Sequence, residues 1–571
     1  MSEDNLTEKD FELAKSHFFR GLEFLNRELY LEAESEFRAS LKIVPDRESV
    51  LVNLSATLLK LEKYADVIKI SNQILELNSS NKEAWLNLGN AYLKLKQYEQ
   101  AIVSYDKAIN LTPDYAEAWS NRGNALKELA QYEQALASYD KAISLKPDYA
   151  EAWSNRGNTL HELEQYEQAL ASHDKAISLK PDYAEAWSNR GIALKELKHY
   201  EQALASYEQA ISLQPNYANA FFNLAITFQE LKQYDQAIAS YNKAIGLEPN
   251  HYDAYWNKSL TQLLIGDFQG GWTNYEYRWV RKDATEKRYQ EIANLEKLDD
   301  AKSSTVLVWY EQGYGDILQF SRYTPLLAEQ VAQVTFIVPV ALETLLRRSL
   351  PSVKIISDEE LIEGIDFQVP LMSLPRLFST ELSTIPSTGR YLETRPSNID
   401  RWREKLKLDH SRINIGIACS GNAENEHDKF RSMDLSFFEP LSKLANLYLI
   451  QKDVRQSDKG FLDRNPDIKF LGDQISTFED SASIVEHMDL IVTVCTSLAH
   501  LAGALEKRTM VLLTWNSDWR WFLDREDSPW YSSVKLFRQT KPRDWESVMQ
   551  AAISELKQDT LRKSISSSAE K

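Results

Sequence analysis

The chain has 571 residues, of which 43% are apolar, 26% charged and 11% aromatic, which excludes a wholly disordered or collagen-like protein and suits several domains or one long repeat array. Asp and Glu number 84 against 66 Lys and Arg, and the net charge of −18 repels phosphate backbones, excluding bulk nucleic-acid binding. Cys419 and Cys495 are the only cysteines, too few for a disulfide framework or a thiolate zinc site.

The N-terminal MSEDNLTEKD is acidic and lacks the apolar core of a secretory signal. No stretch reaches the roughly 18 apolar residues of a membrane span, so the sequence reads as a soluble, cytoplasmic protein. From Leu13 onward it repeats every 34 residues, most plainly in the blocks opening at Ala116, Ala150 and Ala184. Each block predicts two helices. Large side chains recur at the fourth place (Trp85, Trp119, Trp153, Trp187) and small ones at the eighth (Gly89, Gly123, Gly157, Gly191). In the second helix, alanine is followed four residues on by Tyr105, Tyr139, His173 or Tyr207, and a proline then ends the helix because it lacks an N–H. Small residues allow close helix approach and large ones fill the gaps; His173, in a tyrosine slot, reads as a packing residue.

This pattern resembles the tetratricopeptide repeat family. Seven repeats run from Leu13 to His251, and a degenerate eighth begins at Tyr252, with Gly271 in its alanine slot and Tyr275 in its aromatic slot. A solenoid needs its last apolar face covered, and the next domain is expected to cover it. The sixth place holds Asn53, Asn87, Asn121, Asn155, Asn189, Asn223 and Asn257. An amide offers two donors and an acceptor, so this ladder suits capture of an extended peptide backbone. The competing reading is that Asn is simply habitual at this slot of the repeat.

After Lys302 short β-branched runs alternate with helical stretches. Strands are predicted at Thr305, Val334, Val353, Ile413, Leu447, Leu490, Thr509 and Val534, in two groups around the helical, polar segment Pro396 to Arg412. Such alternation predicts βαβ units, two doubly wound halves, and a ligand at the carboxyl ends of their strands.

Four loops carry candidate chemistry. In EQGYGDILQF, Gly313 and Gly315 permit tight turns, and Asp316 is either a helix cap or a general base facing the cleft. The polar loop Ala418 to Asp434 holds His427, Asp428, Lys429 and Arg431, where a cation could bind a diphosphate; its other reading is an exposed charged loop. In VCTSLAHLAGAL, Thr496 and Ser497 cap a helix whose free N–H groups suit phosphate, and His500 is either part of that site or a buried core histidine. The aromatics of Trp515 to Tyr531 could stack on a base or sugar, or seal an interface with the solenoid.

In order, these segments resemble the heptosyltransferase-related glycosyltransferases with two Rossmann-like halves (GT-B), in an architecture similar to O-GlcNAc transferase. The resemblance implies an all-α tetratricopeptide solenoid followed by a GT-B α/β domain that transfers a sugar from a nucleotide-sugar to a protein or peptide acceptor. It implies Asp316 as catalytic base and a donor site of Gly313, Gly315, Ser420, Gly421, Arg431, Thr496, Ser497 and His500. No metal or cofactor is required, since no D-x-D pair is seen. Cys495 stands where the family has Asp, which favours the rival reading of a non-catalytic interaction scaffold. The expected boundaries are a tail at 1–11, solenoid 12–285, linker 286–302, half-domains 303–395 and 396–558, and a flexible tail 559–571.

Overall fold

The computed structural model describes residues 7–284, 286–358, 360, 362–386, 389–421 and 428–569, with the side chains of 429–430 and 559–569 outside the description. The chain forms two compact units, Met1–Leu231 and Lys232–Lys571. Among the described residues no helix is long and apolar enough to cross a membrane.

The first unit is a run of antiparallel helix pairs, opening with Glu8–Asn26, whose capping box on Thr7 starts it within the stretch 1–11 expected to be a tail. The period has a physical cause in each pair. A Cβ on Gly89, Gly123, Gly157 or Gly191 would lie 2.5–2.7 Å from the ring of Tyr105, Tyr139, His173 or Tyr207, so glycine is what lets the second helix lay its ring on the first. Where Ser55 replaces the glycine, Ser71 replaces the ring, and their hydroxyls bond at 3.0 Å. Arg122, Arg156 and Arg190 each clasp two neighbours. Nε donates to Asp106, Asp140 or Asp174 of the preceding repeat at 2.6–2.7 Å, and Nη1 to Ser138, Ser172 or Ser206 of their own at 2.7–2.8 Å. His173 is buried as expected, and burial depresses its pKa to about 3.

The second unit begins with the helices Tyr234–Leu247, Tyr252–Ile265 and Phe268–Tyr275, and continues into two mainly parallel sheets. The strands are β1 Ala293–Asn294, β2 Thr305–Trp309, β3 Gln333–Val338, β4 Lys354–Ser357, β5 Phe367–Pro370, β6 Ile413–Ala418, β7 Ala445–Leu449, β8 Ile468–Phe470, β9 Leu490–Val494, β10 Thr509–Leu513, β11 Asp527–Ser528 and β12 Tyr531–Arg538. Their order is β1-β5-β2-β3-β4 in one sheet and β11-β12-β10-β9-β6-β7-β8 in the other, and among the described residues only β11 and β12 pair antiparallel. Central strands are buried on both faces, which is why their sequences are continuous apolar runs.

Three boundaries differ from expectation. The segment expected as a linker, 286–302, contributes β1, which pairs with β5. The helix Trp545–Ala569 continues through most of the stretch expected to be a flexible tail. The helix pair Tyr252–Ile265 and Phe268–Tyr275, expected as a degenerate last repeat, belongs to the compact unit of the sheets: Leu263, Phe268, Trp272 and Tyr275 share one buried core with Phe320, Trp519 and Trp530. That core is the expected cover for the terminal repeat.

Candidate functional site

Strand order reverses at two places. β3 and β4 lie on one side of β2 while β5 lies on the other; likewise β7 and β8 lie on one side of β6 while β9 lies on the other. Adjacent loops diverge at such points and open a crevice at the strands' carboxyl ends. The loop after β2 carries Gly313 to Asp316, the loop after β6 carries Ser420 to Arg431, and the loop after β9 carries Thr496 and Ser497.

The first loop turns into the helix Tyr314–Phe320, whose N-cap is Gly313. Asp316 is therefore not the cap; it is the third residue of the helix, and its own N–H donates to Gly313 O at 3.0 Å. The two glycines do not serve tight turns either. Gly313 has φ −70° and ψ 171°, open to any residue, and Gly315 is needed because a Cβ there would lie 2.9 Å from Cδ2 of His500. The helix starts that follow β2 and β9 thus touch across the crevice.

Asp316 is ion-paired with Arg520, which follows β10 and also donates to both oxygens of Asp518 at 2.9 and 3.1 Å. The Arg520 side chain is 8% exposed and Asp316 19% exposed. One guanidinium thus serves two carboxylates. Burial, with the charge of Asp518, raises the pKa of Asp316 despite Arg520. Desolvation opposes ionisation of Asp518, although its side chain is still 37% exposed, and Arg520 holds that carboxyl below its usual range. The guanidinium lies 4.3 Å from the Trp519 ring, and Trp519 packs edge-on against Trp272 at 5.3 Å.

Across the crevice, Asp428 shapes the loop after β6: it accepts Gly421 N–H at 2.9 Å, Arg431 Nε at 3.1 Å and Ser432 Oγ at 2.7 Å. A Cβ on Gly421 would lie 2.5 Å from Asp428 Oδ1 and 2.7 Å from Arg431 Nη2, so glycine lets the backbone lie close against this pair. Ser420 is held by Gln451, which donates to its hydroxyl at 3.0 Å. Arg431 stays one-third exposed, and its charge reaches Cys495 and His500, as do the charges of Arg520 and Asp518. His427 and the side chain of Lys429 lie outside the described residues.

Thr496 is the N-cap of the helix Ser497–Ala504, but its hydroxyl bonds Thr493 at 3.1 Å instead of the helix. The helix start thus has no side-chain cap and keeps the positive end of its dipole, although the Ala499 N–H bonds Thr496 O at 3.0 Å. Cys495 accepts the indole N–H of Trp521 at 3.0 Å, and burial lifts its thiol to about 11, so it is neutral. His500 is the core histidine of the two readings. It stacks on Trp521, bonds Tyr531 at 3.1 Å, and burial lowers its pKa to about 3. The fourth loop's aromatics follow their interface reading: Trp519, Trp521 and Trp530 are buried, and the Trp515 ring faces Lys232 at 3.3 Å. Reading that loop for its aromatics alone misses Arg520. The available signal was a cation between two tryptophans, but its partner Asp316 is 204 residues away.

The asparagine ladder is partly committed to the scaffold. Asn121 and Asn155 donate to Asn90 and Asn124 of the preceding repeat at 2.9 and 3.0 Å, where Tyr105 and Tyr139 also donate. Asn53 and Asn257 donate to backbone carbonyls four residues back, at 2.7 and 3.0 Å, and Asn87 is buried. Asn189 and Asn223 are half-buried.

Profiles described as tetratricopeptide repeat match consecutive windows: 72–103, 89–130, 123–164, 157–198, 184–217 and 218–251. Residues 72–251 are tetratricopeptide repeats. Among solved structures, YrrB, titled a TPR protein with an unusual peptide-binding site, is 26% identical over 33% of this chain and 98% of its own, with TM-score 0.29. A tetratricopeptide repeat protein from Parabacteroides merdae ATCC 43184 is 17% identical over 44% of this chain and 99% of its own, with TM-score 0.37. MamA is 22% identical over 29% of this chain and 97% of its own, with TM-score 0.27. No curated protein matches the chain.

Proposed function

We propose that this protein is a glycosyltransferase that takes a sugar from a nucleotide-sugar and whose repeats bind a protein or peptide acceptor. The observation that carries the reading is that the loops at the two strand-order reversals meet, with Gly315 packed on His500. A carboxylate with a raised pKa, Asp316, comes from the first; Arg431 and the helix start at Thr496 and Ser497 come from the second. That polarity suits transfer. The acceptor hydroxyl oxygen bonds the anomeric carbon while its proton passes to the Asp316 carboxylate. The bond from that carbon to the diphosphate breaks, and the electron pair leaves with the phosphate, met by Arg431 and the helix N–H groups. Gly313, Gly315, Ser420 and Gly421 shape the walls of this donor site, with His500 a packing partner behind Gly315. Extended solenoid faces bind polypeptide, and the ladder carbonyls of Asn121 and Asn155 keep acceptor capacity for it.

The second reading is a non-catalytic scaffold, favoured by the neutral Cys495 and by the occupation of Asp316 by Arg520. The deciding experiment is label transfer from a panel of radiolabelled nucleotide-sugars into cell extract. With Asp316→Asn, incorporation should fall by about 10²–10⁴, the scale of a lost general base. Some stability should be lost as well, because Arg520 keeps only Asp518. Arg431→Ala should instead weaken nucleoside-diphosphate binding in titration calorimetry by about 1.5–3 kcal/mol. Equal incorporation by wild type and Asp316→Asn removes the base. No incorporation by wild type with any donor leaves the scaffold.

A further inference from the structure

The loop that carries Asp316 is bolted to the last repeat. Arg278, in the turn Glu276–Trp279 that closes that repeat, donates through Nη2 to both oxygens of Glu311 at 3.0 and 3.1 Å and to Ser373 at 2.8 Å. The Arg278 and Glu311 side chains are only 6% and 4% exposed, and the guanidinium lies between the rings of Tyr275 and Trp279, at 4.8 and 4.6 Å. One residue on, Gln312 donates to the Tyr275 hydroxyl at 2.7 Å. Glu311 and Gln312 immediately precede Gly313, the N-cap of the helix that presents Asp316. Ser373 follows β5, so the loops on both sides of the strand-order reversal meet one arginine. The same repeat braces the partner of Asp316, since Trp272 packs on Trp519, beneath Arg520.

A seam that only joined two packed bodies would need apolar area; this one adds two polar clamps, one buried and one half-buried, both on the residues before Gly313. We propose that Arg278 and Tyr275 are positioning residues of the candidate site: through Glu311 and Gln312 they fix the helix start that holds Asp316 against Arg520. The terminal repeat is thereby a wall of the site and not a linker to it. For the reaction positioned, this rests on the glycosyltransferase reading; the positioning itself does not.

The test uses the full chain carrying Tyr275→Phe or Arg278→Lys. Both keep side-chain bulk in the core, whereas Arg278→Ala would strand a buried carboxylate and probe only folding. Amide hydrogen exchange across residues 311–320 should quicken about fivefold or more, the scale of one lost hydrogen bond, with β9, β10 and the helices of residues 8–230 unchanged. In sugar transfer, kcat should fall about tenfold or more and by more than any rise in donor KM, because Arg431 and the Ser497 helix start, which meet the diphosphate, are untouched. Unchanged exchange at 311–320, or exchange that quickens equally everywhere, overturns the proposal, as does unchanged kcat in an active enzyme. If wild type transfers no sugar, the glycosyltransferase reading fails, and the exchange result still decides whether the repeat positions the loop.

Discussion

A single imidazole shows how much one residue can unbalance a repeat. His173 stands where its neighbours have tyrosine, and its Nδ1 is buried without a partner, whereas Tyr105 and Tyr139 reach Asn90 and Asn124 at 2.8 and 2.7 Å. Burial depresses its pKa from 6.5 to about 3. For a base with a depressed folded-state pKa, the unfolded chain takes up the proton first. Stability is therefore full above pH 6.5 and falls as pH drops towards 3, by about 1.4 kcal/mol per pH unit at most. His173→Tyr should remove that loss and supply the missing bond to Asn158, worth about 1 kcal/mol at neutral pH. Thermal melts followed by circular dichroism at pH 7, 5.5 and 4.5 check it: the gain over wild type should widen as pH falls. A gain that stays constant with pH would mean that the histidine is protonated in the fold. The packing role of His173 is legible in sequence because its slot recurs; the Asp316–Arg520 pair is not, because nothing local ties residues so far apart.

At the scale of elements, each repeat ends its first helix in the same way. Glu28, Glu62, Lys96, Ala130, Glu164, Lys198 and Lys232 all have φ between 56° and 63°. In the repeat of Ala130, its N–H reaches Lys127 O at 2.9 Å and Gln131 N–H reaches Leu126 O at 2.9 Å, the paired bonds of a Schellman cap. Glycine is the favoured residue for that conformation, yet it occupies the slot only in the last repeat, as Gly266 at φ 89°. Relief of about 1 kcal/mol of left-handed strain exceeds the added unfolded-state freedom of glycine by a few tenths. Ala130→Gly with Glu164→Gly should therefore raise the melting temperature, while Gly266→Ala should lower it. A fall in the double variant would show the strain already relaxed. Long or buried elements were readable: the repeats because every pair uses the same contacts, and β2, β6, β9 and β10 because burial on both faces makes them continuous apolar runs. The strands β1, β8 and β11 were not, since two or three residues carry no period, nor was β5, whose run FQVP holds a glutamine and ends on proline.

At the scale of the whole molecule, the natural cut in sequence falls after the repeats, but the natural cut in packing falls inside them, at Leu231. Repeat periodicity reports how helices pack on one another and is silent about where the array stops being independent. The terminal repeat's Phe268 and Trp272 are 2% exposed and Tyr275 1%, all within the core that contains Phe320 and Trp530. Removing them uncovers apolar area worth about 1.5–3 kcal/mol for each large side chain and leaves Glu311 buried without Arg278. A fragment of residues 303–571 should therefore aggregate or bind a hydrophobic dye, although it keeps nearly every strand. A fragment of residues 232–571 keeps the cover, the β1 strand and the Arg278 clamp, and should be monodisperse, with a cooperative melt near that of the α/β portion of the full chain. Size-exclusion chromatography with light scattering, followed by melting curves of both fragments, separates the cases. If the shorter fragment is folded and equally stable, the terminal repeat is an appendage; if only the longer one folds, the last repeat is part of the α/β domain's own core.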